Sequence, residues 1–477
     1  MTLRDHKTKI VATIGPASAS PETLRAMIRA GMDVARLNFS HGDFEGHHRA
    51  IALLREAARA ESRRLAILAD LPGPKIRLGR LATEPITLQA GGEFTLTTED
   101  ITGDDRRASV SFTELPKAAR PGDVLFLNDG LIELEVLTVA GHDVACRVRV
   151  GGELRSRKGL NLPGIDLGIC AFTERDRECL AFALAEGVDV ISQSFVESPE
   201  DVAAVREAAA AMGHHPFVVA KIERARALDR IDEILDAADA VMIARGDLGV
   251  EVPIERIAVV QKDIARKANL AGKPVITATQ MLESMTRSRR PTRAEATDVA
   301  NAILDGTDAV MLSEESATGA FPVDAVSMLA RIAAAIEPHR PAGRVREALG
   351  RAGQEGSMSL RDVIASSVDS TLERASPAAV IVPTDSGATA RSVARFRPPV
   401  WIAAISTREE TCRRLQLSWG VHALHVAGYP DDWKNFARAW LRENGIEGNR
   451  VVLMEGPSPK HPEANHRMEI IDLDGDN

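Results

Sequence analysis

Six short apolar runs in this 477-residue chain end in polar residues whose types suit phosphate chemistry. "VARLNFS" brings Arg36, Asn38 and Ser40 out at alternate positions, which on a strand is one face. "LAILAD" ends in Asp70 and "FVVAKIE" in Lys221 and Glu223. "AVMIARGD" ends in Arg245 and Asp247, "PVITAT" in Thr277 and Thr279, and "AVMLSEE" carries Ser313 and Glu315. Glu223 and Asp247 on neighbouring strands would form a divalent-cation site with open positions, the pattern in which Mg2+ keeps water or substrate oxygens. Lys221 and Arg36 add positive charge beside it. Metal and cations together suit a transferring phosphoryl group, whose catalysis is mostly charge neutralisation and positioning. The glycines of "RGDLG" let backbone N–H groups approach an anion where a helix begins. One Lys221–Glu223 pair alone would be ordinary scaffolding; polar ends on six strands converging on one rim point to a site.

Such convergence needs a particular scaffold. Eight apolar segments recur at 8–13, 33–40, 65–70, 188–195, 217–223, 240–247, 274–279 and 309–314. Several are apolar on both faces, as strands covered on both sides must be. The stretches between most of them have a helical period: Ile254, Ile257, Val260, Ile264 and Ala268 form one stripe, and Pro291 and Gly306 bracket another helix. Eight strand–helix units predict an α/β fold, a (β/α)8 TIM barrel with its chemistry at the C-terminal strand ends. Between Asp70 and Val188 the helical period disappears. "EFTLTT", "DVLFLN", "LIELEV" and "DVACRVRV" alternate between Gly- and Pro-containing turns, which predicts an all-β barrel lid domain inserted after strand three. "RPAGRVREALGRAGQEGSMS" (340–359) reads as a polar linker to a C-terminal α/β domain with strands at 378–384, 399–406, 420–426 and 450–456. The division is therefore 1–71 and 164–340 for the barrel, 72–163 for the lid and 341–477 for the C-terminal domain.

Composition excludes several classes. A net charge of −9 leaves no basic stripe for nucleic acid. The apolar runs are too short to span a membrane, and "MTLRDHKTKI" has no signal-peptide core. Cys146, Cys170, Cys179 and Cys412 form no C-x-x-C pair, so neither a disulfide framework nor a zinc site is indicated. The expectation is a cytoplasmic protein.

"TKIVATIGPAS", "GMDVARLNFSHG", "KGLNLPG", "AKIERA", "MIARGDLGVE", "ITATQMLESM", "PTRAEATDVANAILDGTDAVMLSEES" and "TDSGATA", in this order, closely resemble the pyruvate kinase family; residues 430–477 match least. The resemblance implies Mg2+-dependent transfer of phosphate from phosphoenolpyruvate to ADP, giving pyruvate and ATP, with Mn2+ as a substitute metal. It implies that Arg36 binds the phosphoenolpyruvate phosphate and that Lys221 stabilises the phosphoryl transition state and the enolate. Glu223 and Asp247 would hold Mg2+. The Gly246 and Asp247 backbone and Thr279 would bind the substrate carboxylate. Asn38, Arg77 and Lys158 would engage the nucleotide. Thr279, or a water held by Ser313 and Glu315, would deliver the final proton. A homotetramer is implied by the family alone.

Two departures from the family pattern bear on ligands. Many members hold K+ through residues matching Asn38, Ser40, Asp70 and the backbone of Leu71. This chain reads "DLPGPKIR" at that point, with Lys75 where those members carry a glutamate. A fixed ammonium there predicts that K+ is not required; the alternative is a solvated lid lysine. In "TDSGATARSV" the family's effector loop would be Thr384, Ser386, Gly387 and Thr389, or the stretch is a plain N-capped turn. Asp385 and Ala388 stand where cations are common, which disfavours a doubly phosphorylated sugar and leaves a sugar or nucleotide monophosphate open. The pairs His47-His48 and His214-His215 lack partners at metal-ligand spacing. His41 either touches nucleotide or caps a helix. Competing readings are another phosphoenolpyruvate-handling barrel enzyme and a degenerate metabolite-binding paralogue; the lid with Arg77 and Lys158 argues against the first, and intact Lys221, Glu223, Asp247 and Thr279 against the second.

Overall fold

A computed structural model describes residues 3–341, 343–355, 358–457 and 465–474. Eight parallel strands close into a barrel: Lys9–Thr13, Val34–Asn38, Ala66–Leu71, Val190–Gln193, Phe217–Ile222, Ala240–Ala244, Val275–Ala278 and Ala309–Leu312. Each pairs with its neighbours in sequence, and the last closes on the first with Lys9 opposite Ala309. All eight match the expected segments, because β-branched and aliphatic residues on both faces fit only a doubly covered strand. Inward side chains such as Val11, Leu68, Val219, Met242 and Ile276 fill the barrel, and Leu417 from the C-terminal domain joins this cluster. Outward side chains pack under the helices in a second, larger core.

The lid carries its own core around Phe94, Leu125, Leu134 and Cys146. Its main sheet has six strands in the order Leu160–Asn161, Val124–Leu127, Ile132–Ala140, Asp143–Val150, Glu93–Thr97 and Arg107–Ser109; a smaller sheet pairs Ile86–Leu88 with Gly152–Leu154. The C-terminal domain is a five-stranded sheet with four parallel strands in the order Val421–His425, Trp401–Ser406, Ala379–Pro383 and Arg450–Glu455, edged by antiparallel Arg467–Asp472.

One expectation needs correction. The stretch read as a linker contains a helix, Arg344–Glu355. Val345 and Leu349 pack against the C-terminal core, so tertiary burial overrides a glycine-containing, polar composition.

Candidate active site

The polar residues do meet at the C-terminal rim; Arg36, Asn38, Asp70, Lys221 and Thr277 lie on the strands, and the others stand just beyond them. The fifth strand ends at Ile222 and the seventh at Ala278, so Glu223 and Thr279 stand one residue beyond. Asp247 belongs to the helix Arg245–Glu251, and Glu315 to the helix Glu314–Ala317. Turn geometry aims them. Phe195 and Thr279 adopt φ +58° and +68°, values uncommon for residues with side chains.

At the centre is a buried ion network. Arg36 donates to Asp70 Oδ2 from Nε at 2.8 Å and Nη2 at 2.6 Å, and from Nη1 to Thr13 Oγ1 at 2.9 Å. The Lys221 ammonium lies 3.2 Å from Asp70, 3.0 Å from Glu223 Oε1 and 2.6 Å from Ser194 Oγ. Ser194 Oγ in turn donates a hydrogen bond to the carbonyl of Leu71 at 2.7 Å. Glu223 Oε2 accepts the Phe195 N–H at 2.8 Å, a bond the left-handed turn at Phe195 permits. Arg36, Asp70, Lys221 and Glu223 are each under 10% exposed. Burial alone would drive Lys221 towards neutrality, but Asp70 and Glu223 outweigh it and hold its pKa above the ordinary lysine value. Glu223 is pushed up by burial, against Lys221, with Asp247 and Asp70 adding like-charge repulsion. Asp70 moves the other way: burial is overcome by Lys221 and Arg36.

Glu223 and Asp247 therefore face each other as like charges, an arrangement that a divalent cation relieves. Among the described residues no group of three or more His, Cys, Asp or Glu could hold a metal, so two protein carboxylates would leave the remaining positions to water and substrate. That donor set fits Mg2+. Beside it the Gly246 N–H donates to Thr279 Oγ1 at 2.7 Å, and that hydroxyl donates to the Ala278 carbonyl at 2.7 Å. A Cβ at Gly246 would stand 3.4 Å from Thr279 Oγ1, against the hydroxyl that its N–H serves. Arg245 points outward to Asp298 at 2.7 Å and to the Thr279 carbonyl at 2.8 Å, so it braces the turn. Glu315 does likewise. Its oxygens accept the N–H groups of Leu282 at 3.0 Å and Ser313 at 2.7 Å.

The nucleotide-side residues lie where lid and barrel join. Leu78 N–H donates to the Lys158 carbonyl at 2.9 Å, which brings the segments of Arg77 and Lys158 side by side. Partial burial and the charges of Arg77, Lys75 and Arg36 push His41 below the ordinary histidine value, so those cations surround the loop after Asn38. Asn38 Oδ1 accepts the Ser40 N–H at 3.1 Å. Of the residues matched to a monovalent-cation site, Asp70 is engaged by Arg36 and Lys221 and the Leu71 carbonyl by Ser194. Lys75 Nζ is 3.5 Å from Asp247 Oδ1 and also within electrostatic reach of His41, so its ammonium bridges the two sides of the cleft. Ser194, Phe195 and Thr13 join the site although nothing in their residue types marks them in the sequence.

In the C-terminal domain Thr384 Oγ1 caps the Gly387 N–H at 3.0 Å, and Tyr429 donates to Asp385 at 2.9 Å. The loop, with Ser386 and Thr389, borders a cavity of about 570 Å³ that Arg361 and Arg467 also line.

Comparison with known proteins places the chain in a family. The family described as pyruvate kinase, barrel domain, matches residues 5–326, and pyruvate kinase, alpha/beta domain, matches 362–471. A pyruvate kinase of Thermococcus litoralis is 49% identical over 88% of this chain and 89% of its own. One of Geobacillus stearothermophilus is 46% identical over 94% of this chain and 78% of its own. A crystal structure of a pyruvate kinase from Cryptosporidium parvum superposes with a TM-score of 0.90 at 35% identity, over 98% of this chain and 96% of that one. This chain belongs to the pyruvate kinase family, phosphotransferases of glycolysis.

Proposed function

We propose that this chain transfers the phosphoryl group of phosphoenolpyruvate to ADP with the following division of labour. Arg36, already oriented by Asp70 and Thr13, receives the phosphate of phosphoenolpyruvate. Glu223 and Asp247 would hold Mg2+, or Mn2+ in its place, and the ion when bound supplies positive charge to the phosphoryl oxygens. Lys221 remains an ammonium throughout and faces the charge that develops during transfer and on the enolate. The N–H groups of Gly246 and Asp247 with the Thr279 hydroxyl bind the substrate carboxylate, which takes over the bond Gly246 now gives Thr279. Asn38, Arg77 and Lys158 bind the nucleotide. Thr279 Oγ1, or a water at Ser313 and Glu315, gives the proton to the enolate carbon. The observation that carries this reading is the single buried network joining Arg36, Asp70, Lys221, Ser194 and Glu223 across four strand ends.

The test is pyruvate formation from phosphoenolpyruvate, ADP and Mg2+. Lys221→Met should lower kcat by about 10²–10³ or more, the scale of losing one preorganised charge stabiliser; a variant as fast as the wild type rejects the assignment. The same assay in tetramethylammonium buffer free of K+ should keep full activity, because Lys75 supplies a fixed cation; a large loss that K+ restores rejects that part. We also propose a cytoplasmic homotetramer. Ile254 at 71% and Val259 at 60% exposure are apolar surface a partner copy would cover, and sedimentation at assay concentration tests it. Among the described residues no helix is long and apolar enough to cross a membrane.

A further inference from the structure

His47 takes no part in the chemistry above, yet its ring is anchored beneath the loop that follows the second barrel strand. Its ring stacks on Phe39 with centroids 4.3 Å apart and planes inclined by 10°. Phe39 lies between Asn38 and Ser40, is 5% exposed, and donates its N–H to the Asp70 carbonyl at 3.0 Å. His47 Nε2 is 3.0 Å from the carbonyl oxygen of His41. A carbonyl only accepts, so Nε2 carries the proton. Below the stack Phe44 lies flat on Phe182 at 4.6 Å, and the Arg175 guanidinium covers Phe44 at 4.8 Å. Phe182 and Arg175 belong to the helix Glu174–Ala185, the first element after the lid returns. The loop itself is thinly held. Ser40, His41, Gly42 and Asp43 are exposed, and its internal bonds are Ser40 N–H to Asn38 Oδ1 at 3.1 Å and His41 N–H to the Asn38 carbonyl at 3.2 Å.

We infer that His47 is a positioning residue for nucleotide binding: by stacking on Phe39 and donating Nε2–H to the His41 carbonyl, it fixes the loop 38–43 in the shape that presents Asn38 and His41 to the nucleoside diphosphate. The inference rests on the reading that Asn38 lies on the nucleotide side. A hydrogen bond from one rigid ring to one carbonyl governs loop shape and leaves the Arg36–Asp70–Lys221 network untouched. It should therefore appear in nucleotide affinity and not in the chemical step.

His47→Phe keeps the stack and removes the donor. It should raise the KM for ADP, and the Kd for ADP measured by calorimetry, roughly threefold to tenfold, the worth of one hydrogen bond. The kcat and the KM for phosphoenolpyruvate should stay within about twofold of wild type, since neither depends on that bond. His47→Gln, whose amide can donate, should recover part of the ADP affinity. Asn38→Ala serves as the reference for the nucleotide side. If Asn38→Ala weakens ADP and His47→Phe does not, the role given to His47 is wrong while the nucleotide reading stands. If His47→Phe lowers kcat and raises both KM values together, with a lower melting temperature, His47 is general packing and the inference is overturned. If Asn38→Ala leaves ADP binding unchanged, the nucleotide reading itself fails and takes the inference with it.

Discussion

Lys221 keeps its charge in a nearly dry site because two carboxylates and a hydroxyl surround it. Ser194 is the neutral member of that set and the one that aims the ammonium, since it is itself fixed to the Leu71 carbonyl. Ser194→Ala leaves both ion pairs but removes the 2.6 Å acceptor. The ammonium would then swing towards Asp70 or Glu223, and kcat should fall about tenfold, in line with the worth of a hydrogen bond to a charged group. The KM for ADP should not change, and steady-state kinetics on the purified variant checks both. The charge-bearing residues were legible in the sequence because charge at the end of an apolar run is conspicuous. Ser194 and Phe195 were not, because a serine and a phenylalanine at a strand end are unremarkable in type; what makes them matter is a left-handed turn at Phe195 that offers an N–H to Glu223. No residue in "SQSF" signals that backbone conformation.

At the level of elements, the helix Glu174–Ala185 does more than cover the barrel. Its Thr173 cap and Asp176 form a reciprocal capping box, and Asp176 Oδ1 also accepts the Gly73 N–H at 2.9 Å. Gly73 lies next to the outgoing connection to the lid and Thr173 follows the returning one, so one buried carboxylate ties both to one helix start. Asp201 repeats the device, taking the Ala171 N–H at 3.0 Å while capping its own helix. Asp176→Ala keeps the backbone N–H that Thr173 Oγ1 caps but breaks the reciprocal half of the box, leaving the amides of Gly73 and Thr173 without their acceptor. A loss of about 2–4 kcal/mol is expected from the two stranded amide donors. The damage should concentrate at the lid: tryptic cleavage near Arg155, Arg157 and Lys158 should quicken, and the melting temperature should fall. Unchanged cleavage would mean the lid is held elsewhere. The strands of the barrel and the long lid strands could be read from periodicity. Gly152–Leu154 and Leu160–Asn161 could not, being too short to show a period, and the helix Arg344–Glu355 was hidden by its glycines and charge until the C-terminal core received Val345 and Leu349.

Across the whole molecule, the C-terminal domain is joined to the lower end of the barrel by cations and one apolar plug. Leu417 enters the barrel cluster. Arg397 holds both oxygens of Asp308 at 2.6 Å, and the Lys9 ammonium donates to the Val421 carbonyl at 2.9 Å. His422, next to that carbonyl, is set among positive charges. Burial first, then the positive charges of Lys9, Arg64 and Arg63, push its pKa down to about 3. An unfolded chain protonates the same imidazole near pH 6.5. Between about pH 6.5 and about 3 the unfolded state thus binds a proton the folded state refuses, so stability rises with pH through that window and is lost as pH falls. One proton can contribute at most about 1.4 kcal/mol per pH unit, and residual solvent around the ring lowers that figure. His422→Asn removes the titration and keeps a polar, neutral side chain. Its melting temperature should fall less steeply than that of wild type between pH 6.5 and 4.5, with the two curves running parallel above pH 7. Groups common to both proteins cancel in the difference, so parallel curves throughout the acid range would show that this imidazole accepts its proton in the folded state, and that the cations of the domain junction do not govern how the molecule answers acid.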